Sequence, residues 1–174
     1  MPTEAWLSGP LPGVDAALMP AAHALVQARS DIAAAVTPLD ESSLWVRPGG
    51  AASVGFHLVH IPGSIDRLLT YASGTQHLSD EQRAAVDREK ALSDAKPGQP
   101  GLPSPRSLAE GADQAIENAL AAIRRTDPRT LAEPRLVGRA GLPSTVAGLF
   151  FHIAEHTQRH TGQIIATAKA ARAR

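Results

Sequence analysis

Apolar residues recur at three- and four-residue steps through four long stretches of this chain, and prolines or glycines interrupt the pattern between them. Such a chain can bury its apolar stripes only by packing helix against helix. The first stretch runs from about Val14 to Val36, with Leu18, Ala21, Leu25, Ile32 and Ala35 on one side, Pro20 in its early turns and Thr37-Pro38 at its end. The second starts from an N-cap at Ser53 and reaches Ser73, where Gly74 ends it; Val54, Leu58, Ile61, Ile65, Leu68 and Leu69 form its stripe. The third extends from Ser107 to Arg125 through Leu108, Ala112, Ala115, Ile116, Ala119, Leu120 and Ile123, and Asp127-Pro128 stops it. The last begins near Pro143-Ser144 and continues to about Lys169, with an Ala- and Arg-rich tail expected to fray.

Shorter signals fill the gaps. Ser79 with Gln82 three residues on spells a capping box and predicts a short extra helix to Leu92. Lys96 to Pro105 is too rich in proline and glycine for regular structure and reads as an exposed loop. Leu131 to Ala140 is β-capable and predicts an extended segment or small hairpin. Pro62-Gly63, inside the second stretch, predicts a local bend, because proline removes one backbone hydrogen bond and crowds the preceding turn. The expected fold is therefore all-α, a four-helix bundle with a short extra helix and a small hairpin before the last helix. A chain of 174 residues suffices for one core, and halving it would leave both parts marginal, so residues 1–174 read as a single domain.

Composition narrows the partners. Lys plus Arg and Asp plus Glu are 17 each and aromatics make up 3% of the chain, which leaves neither a basic excess for phosphates nor a stacking platform for bases; nucleic acid is not an expected partner. There is no cysteine, which excludes thiolate ligands and cysteine nucleophiles and leaves histidine and carboxylate to bind any metal. The start of the chain lacks a basic segment followed by an apolar one, and no run is long enough to span a bilayer, so the expectation is a cytoplasmic protein without a membrane partner.

Five of the seven histidines fall in two short windows, Phe56-His57-Leu58-Val59-His60-Ile61 and His152-Ile-Ala-Glu155-His156-Thr-Gln-Arg159-His160-Thr-Gly-Gln163. Four-residue spacing stacks side chains one helical turn apart, so His156 and His160 can share one ion without bending the backbone. At about 100° per residue they lie roughly 20° either side of the stripe set by Leu149, Ile153 and Thr167, whereas His152 lies about 60° off it. A lone histidine on an apolar face is more often a hydrogen-bonded core residue, but two at adjacent turns each need a polar partner, and a shared cation satisfies both. The third ligand must come from elsewhere. His57 and His60 are both candidates, one turn apart on the edge of the second stripe.

The two windows, Ser53-Val-Gly-Phe-His-Leu-Val-His60-Ile-Pro-Gly-Ser-Ile-Asp66-Arg67-Leu-Leu-Thr-Tyr71-Ala and Leu149-Phe-Phe-His-Ile-Ala-Glu-His156-Thr-Gln-Arg-His160-Thr-Gly-Gln163-Ile, together resemble the DinB-like superfamily of metalloenzymes, which includes bacillithiol and mycothiol S-transferases. The resemblance covers most of the chain. It implies an up-and-down four-helix bundle with a divalent ion, zinc or nickel, on His60, His156 and His160, and positions left open for water or a substrate thiolate. His57 and His152 are extra to that pattern and are candidates to enlarge the ligand set or shape the pocket.

An open three-histidine site keeps the full charge of its cation and lowers the pKa of a bound water or thiol. The leading expectation is a metal-dependent enzyme that activates a water or a low-molecular-weight thiol, resembling a thiol transferase, with a small-molecule substrate and with Glu155, Arg159 and Gln163 supporting the ligands from behind. The catalytic residues themselves are not assigned. Glu155 and Arg159 also have the i, i+4 spacing of a solvated ion pair. The alternative is a non-catalytic metal- or small-molecule-binding bundle acting in stress response. A third reading takes His152-Ile-Ala-Glu155-His156 as the H-x-x-E-H motif of a zinc hydrolase; it lacks a downstream carboxylate ligand, because no Asp or Glu follows His156. A homodimer through a leftover apolar helix face is compatible with every reading.

Overall fold

Four long helices carry nearly all of the core in the computed structural model, which describes residues 4–173. They are α1 (Met19–Val36), α3 (Val54–Ala72), α5 (Pro105–Arg125) and α6 (Val146–Arg172). Two shorter helices, α2 (Glu41–Leu44) and α4 (Asp80–Leu92), lie between them, and one antiparallel pair, β1 (Pro134–Val137) with β2 (Leu142–Thr145), precedes α6. Each long helix packs chiefly against two others: α1 and α3 both contact α5 and α6. Leu25, Ile32, Leu58, Ile61, Ile65, Ile116, Leu120, Ile123, Ile153 and Ile164 meet in the shared interior. No helix among the described residues is long and apolar enough to cross a membrane.

Polar caps fix where the helices begin. Ser53, Ser79, Ser104 and Thr145 each accept a backbone N–H in the first turn of the helix that follows. Each such cap contributes on the order of 1 kcal/mol. The Ser79–Gln82 capping box forms as the sequence predicts. The inward residues of α5 match the predicted stripe at all seven positions, and the helix starts at Pro105 rather than Ser107 because Ser104 caps it.

Elsewhere the helix bounds differ from those the sequence pattern predicts. The first helix starts at Met19, not Val14, because Asp15 accepts the N–H of Ala17 and holds the preceding residues in a turn. The hairpin is real but runs to Thr145, taking Pro143 and Ser144 into β2, so α6 starts at Val146. Two backbone bonds, from Val146 N to Glu133 O and Ala147 N to Leu131 O, tie the start of α6 to the chain ahead of β1. The tail of α6 stays helical to Arg172, with Ala168 and Ala171 buried. α3 continues through Pro62 as one helix.

Two glycines of α3 have a packing role. A methyl built at Gly55 would lie 2.8 Å from three indole carbons of the fully buried Trp45, so this turn admits the ring only because it lacks a side chain. One at Gly63 would lie 3.0 Å from Arg67 Nη1 and 3.1 Å from Glu89 Oε2. The second glycine opens space for a polar group that belongs to the site described next.

Candidate metal centre

α3 and α6 lie side by side, and at their contact His60, His156 and His160 present one nitrogen each within 4.8 Å of one another. All three rings are half-buried. His60 Nε2 is 3.4 Å from His156 Nε2, and the His160 ring centroid is 4.4 Å from that of His60 and 4.5 Å from that of His156. Two nitrogens on one tetrahedral ion at about 2.0–2.1 Å stand roughly 3.3 Å apart. The His60–His156 separation is close to that edge and the His160 nitrogen lies within 4.8 Å of both, so the donor set is compatible with a small divalent cation.

The other face of each ring is held. His60 Nδ1 lies 2.5 Å from Glu89 Oε1, His156 Nδ1 lies 3.3 Å from the Ser64 hydroxyl, and His160 Nδ1 lies 3.0 Å from His57 Nδ1. An ionised carboxylate only accepts, so His60 carries its proton on Nδ1 and turns the Nε2 lone pair toward His156. Outer partners of this kind fix ring orientation in metal sites. The Phe56 ring stacks beside His60 at 5.8 Å between centroids and 15° between planes.

Burial sets the charge of the rings. It pushes His156 and His57 from 6.5 down to about 4 and His160 down to about 3, with the neighbouring histidine charges adding to the effect. These rings are neutral near pH 7 and their lone pairs are available. Glu89 lies below its ordinary value: burial works against ionisation, and the hydrogen bonds and charges of His60 and Arg67 outweigh it.

The remaining residues singled out from sequence fall outside the trio. His57 is 4% exposed and sits behind His160. His152 has a side chain 47% exposed and pairs with Glu155 at 3.3 Å. Glu155 also accepts from Arg159, which holds its carboxyl below the usual range; neither touches a ring of the trio through a hydrogen bond among the described residues. Gln163 is exposed and makes no such bond either. The side chains that do contact the three rings at their second nitrogen are Glu89, Ser64 and His57. The H-x-x-E-H reading loses its geometry as well, since the converging nitrogens include His60 and leave out His152.

The helical phase also shifts. The buried face of α6 runs through Leu149, Phe150, Ile153, Thr157, Thr161 and Ile164, so His156 and His160 lie on its flank rather than at its centre. That offset leaves the trio half-buried at the α3–α6 seam instead of sealed in the core.

Sequence reasoning missed Glu89 and Ser64. Glu89 occupies the inward stripe of α4 with Gln82, Ala85, Val86 and Leu92, and a lone carboxylate on such a stripe was the available signal. Ser64 follows His60 by one turn on α3 and is buried, a spacing that puts both on one face.

The family model for the DinB superfamily matches residues 24–164, a span that takes in both histidine windows. No curated protein matches the chain.

Proposed function

The chain belongs to the DinB superfamily, and from that premise we propose that it is a metal-dependent enzyme which holds one divalent cation, zinc or nickel, on His60, His156 and His160. The reading places the centre in a single-domain, up-and-down four-helix bundle and gives it a water or a low-molecular-weight thiol to activate. The 3.4 Å approach of His60 Nε2 to His156 Nε2, with His160 beside both, carries the proposal. Two imidazole lone pairs that close repel each other unless a proton or a cation lies between them.

A bound divalent ion would supply the positive charge that brings the pKa of water or a thiol toward neutrality. The protein contributes the rest. Imidazole ligands bring no charge of their own to a bound ion and would leave that charge undiminished, and the α3–α6 contact holds the three rings half-buried. With a thiol as nucleophile, the product is a thioether formed as an electrophile gives up its leaving group; with water, it is a hydrolysis product.

Elemental analysis of the purified protein tests the first step. One equivalent of a divalent metal is expected in the wild type, falling to background in His60→Ala, His156→Ala and His160→Ala. Occupancy unchanged in all three variants would remove the site. A thiol panel with a model electrophile then tests the second step, where consumption of thiol that stops on chelation supports the enzyme and metal retention without any turnover favours a binding protein.

A further inference from the structure

α4 makes few apolar contacts with the rest of the molecule, yet it delivers one well-enclosed carboxylate to the back of His60. Glu89 has a side chain 13% exposed, accepts from His60 Nδ1 at 2.5 Å through Oε1 and from Arg67 Nη1 at 3.2 Å through Oε2. Both carboxylate oxygens are thereby engaged by α3. Gly63 clears the ground, because a methyl there would crowd Arg67 Nη1 at 3.0 Å and Glu89 Oε2 at 3.1 Å. Two turns before Glu89, on the same face of α4, Gln82 donates to Asp66 Oδ2 and Thr70 Oγ1, each at 2.7 Å, and fixes the helix in register on α3.

We propose that Glu89, seated in the space left by Gly63 and steadied by Arg67, is the residue that positions His60 for the cation, and that α4 is present to carry it. The proposal rests on the metal reading of the trio. Glu89 holds the proton of His60 on Nδ1 and locks the ring between itself and Phe56, so that Nε2 faces the other two nitrogens before any ion arrives. The carboxylate also raises the basicity of the ligand it holds. Glu89 touches no reacting atom and is a positioning residue.

The experiment compares wild type, Glu89→Gln, Gly63→Ala and, as a control on the same helix, Asp87→Asn, whose side chain is 78% exposed. Zn2+ affinity is measured by competition with a chromophoric chelator, and the His60 tautomer in the metal-free protein by long-range 1H–15N NMR. Glu89→Gln preserves shape, and its affinity is expected to fall roughly 10–100-fold, with His60 passing from the Nδ1–H form to a mixture; Asp87→Asn is expected to match wild type. Gly63→Ala is expected to weaken binding in the same direction. A wild type that binds Zn2+ and a Glu89→Gln variant that binds it equally tightly, or keeps the wild-type tautomer, would overturn the positioning role. A wild type that binds no Zn2+ would overturn the metal reading instead. A lower unfolding midpoint in Glu89→Gln with affinity and tautomer unmoved would reduce Glu89 to a structural ion pair and also overturn the proposal.

Discussion

Three imidazoles with depressed pKa values, one buried and two half-buried, make the histidines themselves a source of pH dependence. In the unfolded chain each titrates near 6.5, whereas in the native protein burial holds His57 and His156 near 4 and His160 near 3. Between those values the unfolded state binds more protons than the native state, so stability rises with pH there and is lost as pH falls from about 6.5 toward about 4. Urea midpoints of the metal-free protein are therefore expected to decline already between pH 6.5 and 5, above the range where most carboxylates titrate. His160→Gln should flatten that decline. A midpoint constant over the same interval would show that these rings protonate freely in the native state. Added Zn2+ should steepen the dependence, because the ligands must be neutral to bind.

Among the helices α1–α6, α4 is the one without a buried residue, and polar contacts hold it. None of its residues is fully buried, and its main packing partner is α3. Its capping box, the two Gln82 bonds and Glu89 supply the attachment. Few buried apolar contacts mean a low free energy of local opening. Gln82→Ala is expected to speed amide hydrogen exchange across 80–92 while leaving the core of α5 protected, and a uniform change in both helices would show that α4 opens only with the whole molecule. The same contrast explains what the sequence could tell. α5 is legible to its last inward residue because its stripe is strongly periodic and a serine caps it. Pro143-Ser144 reads locally as a helix start, but pairing with Pro134–Val137 captures it, and Thr145 caps the helix instead. His156 and His160 are legible as a pair from spacing alone. Glu89 is legible only as a lone carboxylate on the inward stripe of α4; its pairing with His60 depends on how α4 lies over Gly63, which no local pattern encodes.

At the scale of the whole molecule, the centre joins segments that are distant in sequence. His60 and His156 are 96 residues apart, and a cation held by both would cross-link α3 to α6 at a contact the apolar core has already formed. The core does not need that link to exist: Ile61 and Ile65 on α3 and Ile153 and Ile164 on α6 are buried without it. Metal-free protein is therefore expected to unfold cooperatively, unlike a small zinc-dependent domain whose fold is the metal site. Binding to the native state alone adds RT ln(1 + [L]/Kd), about 2.7 kcal/mol at a free ion concentration a hundredfold above Kd. For a chain of this length that corresponds to a rise in Tm of roughly 5–10 °C. His156→Ala should abolish the rise while retaining a cooperative transition, and a chelator should reverse it in the wild type. A rise that survives in His156→Ala would mean the ion stabilises the protein from somewhere other than the α3–α6 seam.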